Sequence, residues 1–405
     1  MKLPVRFSRP VLLLCSLLFV LTSTVFAIDP PQIRWYRTYG REFKEDARML
    51  VSDQAGGYVA AGMSSTADTT AANMFLVHVD AVGEVIWQQF YDYGEQTKAK
   101  DVKRFRGDGY LVTGYRLNND GTGMDGLILR LNNQGELIWD HILEGDRDDV
   151  AWRSFRVDDG YITVGITEST PGEQKDAFVM RLSEDGERLW LETFGTERVE
   201  RATSAVLLPD EGLVLAGLSR DNPTANDDGW MMRIDADGNI VWWHQYGGDQ
   251  ADEFHWVEQT EDGGFILCGR SKSYRPPTED YNTWLVKTDA DGNEEWNNVY
   301  GPAQAADWAQ MVQIIPDGYI MTGSAHTPER GNQITLVRVN EEGELVYFDA
   351  RGFEGYDIGY AIRVTPDGGY IIAGKMLMEG QEFNDLIIGR TRPDVTLPRN
   401  KNIIK

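Results

Sequence analysis

Residues 367–374 read D-G-G-Y-I-I-A-G, followed at 385–388 by D-L-I-I. Six earlier stretches of the chain repeat this pattern. Each copy ends on a glycine: Gly62, Gly114, Gly165, Gly217, Gly269, Gly323 and Gly374. The spacings are 52, 51, 52, 52, 54 and 51 residues. A fixed period near 50 belongs to propellers and repeat arrays, so it is read before any local motif.

One unit shows what repeats. Asp262-Gly263-Gly264 predicts a tight turn, because glycine admits the positive φ of a short hairpin. Strands are expected over Phe254–Thr260, Phe265–Gly269, Thr283–Asp289 and Glu294–Tyr300, with a second turn at Asp289–Gly292. Four short strands joined by turns make one antiparallel blade. A tryptophan follows four residues after each second-turn glycine, at Trp87, Trp139, Trp190, Trp242 and Trp296, with Tyr347 in the sixth place. Trp35 is a seventh with no repeat before it, whereas the last unit, from Tyr356 to Arg390, lacks a fourth strand. The strand Gln32–Tyr39 is therefore expected to complete the last blade and close the ring without a free edge. The fold class that follows is all-β: a seven-bladed β-propeller of four-stranded antiparallel blades, occupying 28–392.

Two more columns keep the period. Asn73, Asp125, Asp176, Asp228, Asn282, Gln333 and Asp385 open the third strands, and His78, Arg130, Arg181, Arg233, Lys287, Arg338 and Arg390 follow five residues later. Seven copies point to scaffold: loop capping, and pairing of the bases with turn acids.

Outside the repeat, Lys2, Arg6 and Arg9 precede an apolar run from Val11 to Val20, and Val25-Phe26-Ala27 fits a small-residue cleavage site. Residues 1–27 read as a cleavable signal peptide and 393–405 as a short tail. The run is too short to span a bilayer, and Leu14 before Cys15 does not suit a lipidation site. A secreted or periplasmic protein is expected, without membrane insertion. Cleavage after Ala27 removes three of the 39 basic residues and no acid, leaving 36 Lys and Arg against 64 Asp and Glu, a net charge of −28. That surface disfavours nucleic acid. Cys268 then remains alone, so no internal disulfide forms, and a monomer held by packing is expected.

The units resemble those of seven-bladed propellers in exported bacterial and archaeal proteins, D-G-G-[YF]-[IV]-x-x-G … D-x-x-G-x-x-x-W, and are similar to kelch and quinoprotein repeats. The resemblance spans roughly 32–392. It implies the fold and is nearly silent on activity, since this architecture hosts many functions.

Departures from the repeat are the better guide to a site. They are sought on the face that carries the longer loops. Between blades, Glu45, Lys98, Asp149, Arg201, Asp252, Asp307 and Asp357 form a column expected at the channel mouth, serving as loop caps or as a site for a cation or sugar hydroxyls. Beside it stand Trp152, Arg153, His255, Trp256, Trp308 and Tyr360. Aromatic faces next to carboxylates suit a sugar, and they also suit a core. A basic sector is expected in blades 2 to 4, from Lys98, Lys100, Lys103, Arg104, Arg106, Arg147, Arg153, Arg156, Arg198 and Arg201.

The longest loop, Arg270–Asn282, brings Arg275 and Tyr281 near His255 and His326. These are the residue types a polysaccharide lyase or glycosidase uses. D-A-D-G-N at 235–239 and 289–293 resembles half a calcium loop, but position twelve is Tyr246 or Tyr300 instead of Glu. No cofactor is expected; Ca2+ in the channel stays open as an alternative. No nucleophile elbow, zinc-helix or phosphate-loop motif occurs. The leading functional expectation is a module that binds a glycan or a partner protein. A carbohydrate-active enzyme and a structural component of an envelope complex are the alternatives.

Overall fold

A computed structural model of the chain describes residues 29–41, 43–65, 71–105, 107, 109–118, 121, 123–169, 175–195, 199–220, 226–274, 280–302 and 305–395. The proposed signal peptide, Arg106, Arg198, Arg275 and most of the tail lie outside them. The described residues contain no helix. They form seven sheets, one per repeat, each of four antiparallel strands; in blade 6 Gly355–Tyr356 adds a short parallel pairing to Gly331–Val339. Blade 1 comprises Glu45–Ser52, Tyr58–Ser65, Ala72–Val79 and Val85–Tyr91. Blades 2 to 6 follow in register, beginning at Thr97, Asp149, Val199, Asp252 and Asp307. In blade 7, Ile358–Val364, Tyr370–Leu377 and Asn384–Thr391 are joined by Ile33–Tyr39, which pairs with Asn384–Thr391 as expected.

The first strand of every blade packs on the first strand of the next, and blade 7 returns to blade 1. These seven strands therefore surround the central channel. The D-G-G and D-x-x-G turns share one face. The longer loops share the other.

The repeat glycine has a steric cause. In each blade the first strand slips register by one residue against the second: at Arg48, Lys100, Trp152, Thr203, His255, Gln310 and Tyr360. This β-bulge drives a first-strand carbonyl toward the second strand. A Cβ on Gly62 would lie 1.9 Å from the Asp46 oxygen, on Gly217 1.8 Å from that of Arg201, and on Gly374 2.0 Å from that of Ile358. Only glycine leaves room, although its φ here is ordinary.

The tryptophan column joins blades. A Cβ on Gly135 would lie 2.9 Å from Trp87, and one on Gly83 3.0 Å from Trp35; Trp139, Trp242 and Trp296 pack in the same way on Gly186, Gly292 and Gly343, the second-turn glycines of the next blades. Tyr39 donates to the Gly83 carbonyl at 2.7 Å and Tyr300 to that of Gly343 at the same distance. The N-terminal strand thus makes the contacts of an ordinary outer strand. The basic column pairs with the D-G-G acids: His78 with Asp53 at 2.7 Å, Arg233 with Asp210 at 2.8 Å, Lys287 with Asp262 at 2.9 Å and Arg390 with Asp367 at 3.1 Å. Cys268 is fully buried, and burial pushes its thiol well up.

Candidate functional site

The structure resets one predicted column. Strand pairing aligns Glu45, Thr97, Asp149, Glu200, Asp252, Asp307 and Asp357 at the start of the first strands, so Lys98 and Arg201 each stand one residue too far along. The aligned residues are buried, at most 3 % exposed. They bind their own loops. Glu45 accepts from the Arg41 amide at 3.0 Å and the Ser64 hydroxyl at 2.9 Å. Asp149 accepts from Ser169 at 2.9 Å. Asp252 takes the Gly248 amide at 2.9 Å and the Ser273 hydroxyl at 2.6 Å. Asp357 takes the amides of Phe353 and Leu377 at 3.0 and 2.8 Å. Burial pushes the Glu45 carboxyl up to about 7 and that of Asp357 up to about 6, against these hydrogen bonds. These acids are inside the loops. Among the described residues no group of three or more His, Cys, Asp or Glu is placed to hold a metal.

What projects from the first strands is the ring of bulge residues, and here the seven blades differ completely. Trp152, His255 and Tyr360 belong to it, joined by Arg48, Lys100, Thr203 and Gln310. Neighbours touch. The Arg48 guanidinium lies 4.1 Å over the Tyr360 ring, and the Lys100 ammonium 4.1 Å over that of Trp152 and 5.5 Å from that of Tyr115. Thr203 donates to the Phe254 carbonyl at 2.8 Å. His255 Nδ1 donates to the Ala309 carbonyl at 2.7 Å.

Beside Arg48 and Lys100 stand Lys98 and, from the second strand of blade 7, Lys375. Lys375 sits 4.5 Å over Tyr356. Two acids act on this group, Asp46 and, at Lys375, the buried Asp357. Asp46 accepts from Arg48 at 3.0 and 2.9 Å. Burial lowers the ammonium groups of Lys98, Lys100 and Lys375, and for Lys100 the neighbouring Arg48 and Lys98 add to it, bringing it to about 7. Among the described residues no carboxylate stands within ion-pair distance of these three lysines.

One layer deeper, past the bulge, the channel is closely paired. Arg153 stacks 3.9 Å over Trp256, lies 3.6 Å from Asp101 and donates to Ser204 Oγ at 3.1 Å and the Ala205 carbonyl at 2.8 Å. Trp256 Nε1 donates to Glu258 at 3.1 Å, and Arg363 donates to the Ile362 carbonyl at 2.9 Å. Lys103 stands 3.9 Å from Asp101, its ammonium brought down to about 7 by burial and by Arg153.

The predicted enzyme set comes together only in part. His255 Nε2 lies 3.1 Å from Glu253, which also pairs with Arg270, and Arg270 lies 4.0 Å over Tyr281. Burial raises the Glu253 carboxyl, but His255 and Arg270 outweigh it and hold it down at about 2. Both ring nitrogens of His255 face groups of the protein itself, the Ala309 carbonyl and the Glu253 carboxylate. His326 is exposed on blade 6, bonded to Asn332 at 3.2 Å, with no link to His255. Trp308 is half-buried, its ring centroid 6.5 Å from Tyr356.

The basic sector is also redistributed. Lys98 and Lys100 reach the mouth, but Arg156 pairs with Glu184 at 2.7 Å at the turn face, and Arg147 is exposed on the rim. Arg48 and Lys375, which the repeat did not single out, replace them. They lie 327 residues apart in the sequence and meet only because blade 7 packs on blade 1.

No protein-family profile and no curated protein matches this chain. Solved structures do. YCF48 bound to D1 peptide superposes with a TM-score of 0.53 at 10% identity, covering 91% of this chain and all of that one. The propeller domain of the trilobed protease from Pyrococcus furiosus, described as an open-velcro propeller, gives 0.48 at 8% identity over 88% of this chain and 96% of its own. Sqt1 from Chaetomium thermophilum gives 0.49 at 12% identity, covering 85% and 83%. At such identities the likeness is one of fold: the chain is a seven-bladed β-propeller.

Proposed function

We propose that this protein is an exported binding module that holds a glycan or partner protein at the loop-rich mouth of its channel. One observation carries the reading. The bulge position is built identically seven times, yet bears seven different side chains, whereas the residue before it is alanine in five blades and the loop-capping residue three before it is an acid in six. A scaffold has no use for that variety; a surface that contacts an asymmetric ligand does. Trp152 and Tyr360 supply flat apolar area, and Thr203, His255 and Gln310 supply polar groups on the opposite arc. YCF48, solved with a peptide, is an instance of the same fold holding a ligand.

The enzyme reading is weaker. Both ring nitrogens of His255 are engaged within the protein, and the Glu253 carboxylate beside it is itself held by Arg270. A panel of plant, algal and bacterial polysaccharides, together with a pull-down from the exporting cell, tests the proposal on the purified exported protein. Retention of a glycan or a defined protein, lost in Trp152→Ala, is the expected result. New reducing ends, or absorbance from unsaturated uronates, overturn the binding-only reading in favour of a glycosidase or lyase.

A further inference from the structure

We infer that the basic well at the channel mouth captures the C-terminal carboxylate of a polypeptide, inserted end-on between Arg48, Lys98, Lys100 and Lys375. The inference rests on the proposed binding role of this face and names its ligand. Four cations from blades 7, 1 and 2 outnumber the two acids near them: Asp46, which Arg48 already occupies, and Asp357, which takes the Phe353 and Leu377 amides. The three lysines stand within a charge-coupled group with Arg48 and Asp46, and are half-buried without a carboxylate partner. Desolvated and mutually repelling cations raise the energy of the empty well, and a bound carboxylate relieves it by charge-assisted hydrogen bonds. The rings of Trp152, Tyr115, Tyr360 and Tyr356 wall the cations and keep them extended.

The rim selects among anions. Its loops carry exposed acids, among them Asp92, Glu95, Asp146, Asp249, Glu354 and Glu382. A chain charged along its length, such as a polyuronate, meets these before it meets the well. A ligand with one carboxylate at its tip and a neutral or basic body does not, and a peptide terminus has that charge distribution.

The test passes two mixed-sequence peptide libraries over the immobilised, purified exported protein at about 0.15 M salt. One has free α-carboxylates; the other is identical but closed as C-terminal amides. The acid library is retained and the amide library is not. Lys100→Met, which keeps its stem on Trp152, and Lys375→Gln each weaken retention at least about tenfold, roughly the share of one charge-assisted contact. Retention is also stronger at pH 6 than at pH 8.5. The Lys100 ammonium, faced by Arg48, Asp46 and Lys98, loses its proton around 7, while an α-carboxylate stays ionised throughout. Equal retention of amides, or full retention by both variants, overturns the inference. A uronic-acid oligosaccharide that binds where peptides do not also overturns it, but leaves the binding-module reading standing. If neither peptides nor the polysaccharide panel binds and the pull-down recovers no protein, both fall.

Discussion

Glu45 and Glu253 are both buried at the tops of first strands, and their carboxyl groups are displaced in opposite directions. Glu45 has an amide and a hydroxyl for company, and burial prevails, at about 7. Glu253 is buried too, but has His255 and Arg270, and attraction prevails, at about 2. The consequences for stability differ in sign. An unfolded glutamate titrates near 4.5. Between that pH and about 7 the folded chain holds a proton at Glu45 that the unfolded chain has lost, so stability falls as pH rises through this window. Glu45→Gln keeps the Oε1 acceptor for Arg41 and Ser64 while removing the titration. Urea midpoints measured from pH 4.5 to 7.5 should decline less steeply in the variant, with the other carboxyls raised by burial, Asp357, Asp149, Glu258 and Asp385, supplying the remainder; an unchanged slope refutes the assignment. Glu253 acts below this range. Its stabilising contribution is intact above about 4.5 and is lost only as pH falls through about 2.

Two glycines of blade 7 show that one residue type serves unrelated ends. A Cβ at Gly374 would sit 2.0 Å from the Ile358 carbonyl, the oxygen displaced by the bulge. A Cβ at Gly389 would meet Tyr36 Cβ at 3.5 Å and the Trp35 oxygen at 3.8 Å, ordinary contacts. The other blades place Val77, Leu129, Met180, Met232, Val286 and Val337 at this position. Gly389 leaves an apolar cavity of about 180 Å³ between blades 6 and 7, lined by Ile334, Leu336, Ile372 and Ile387. Gly389→Ala is therefore expected to stabilise by about 0.5–1 kcal/mol, from strand propensity and partial filling. Gly374→Ala should destabilise by at least about 2 kcal/mol, because the obstacle is backbone. Chemical denaturation of the two variants side by side checks the contrast, and equal effects would contradict it.

The ring is closed by an element from the other end of the chain. Ile33–Tyr39 covers the edge of Asn384–Thr391, stacks Trp35 on Gly83 and ties Tyr39 to the Gly83 carbonyl, so blade 7 is fastened to blade 1. Deleting residues 33–39 bares a strand edge and releases that junction. The shortened protein is expected to melt over a broader and lower temperature range and to self-associate in sedimentation velocity; a sharp transition of a monomer would show that closure is dispensable. The same closure assembles the well at the mouth, since Lys375 reaches Arg48 only across it.

The repeat made the architecture readable without coordinates. Its period, the turn glycines, the tryptophan count and the orphan strand at Trp35 specify seven blades and their closure, because each is a local consequence of strands and turns that every copy must satisfy. The pairing of the basic column with D-G-G acids was readable for the same reason. The mouth was not. Spacing placed Lys98 and Arg201 in a column where strand pairing puts Thr97 and Glu200, since the connection between the first two strands is one residue shorter in blades 3 and 6 and only hydrogen bonding fixes the register across it. The acids predicted to face the channel, Asp149, Asp252, Asp307 and Asp357, are of the type that caps a loop and of the type that holds a cation, and burial alone separates the two. Nothing in the repeat singles out Arg48 or Lys375. They become one site because a ring brings the ends of its chain together, a relation between distant residues that no local pattern encodes.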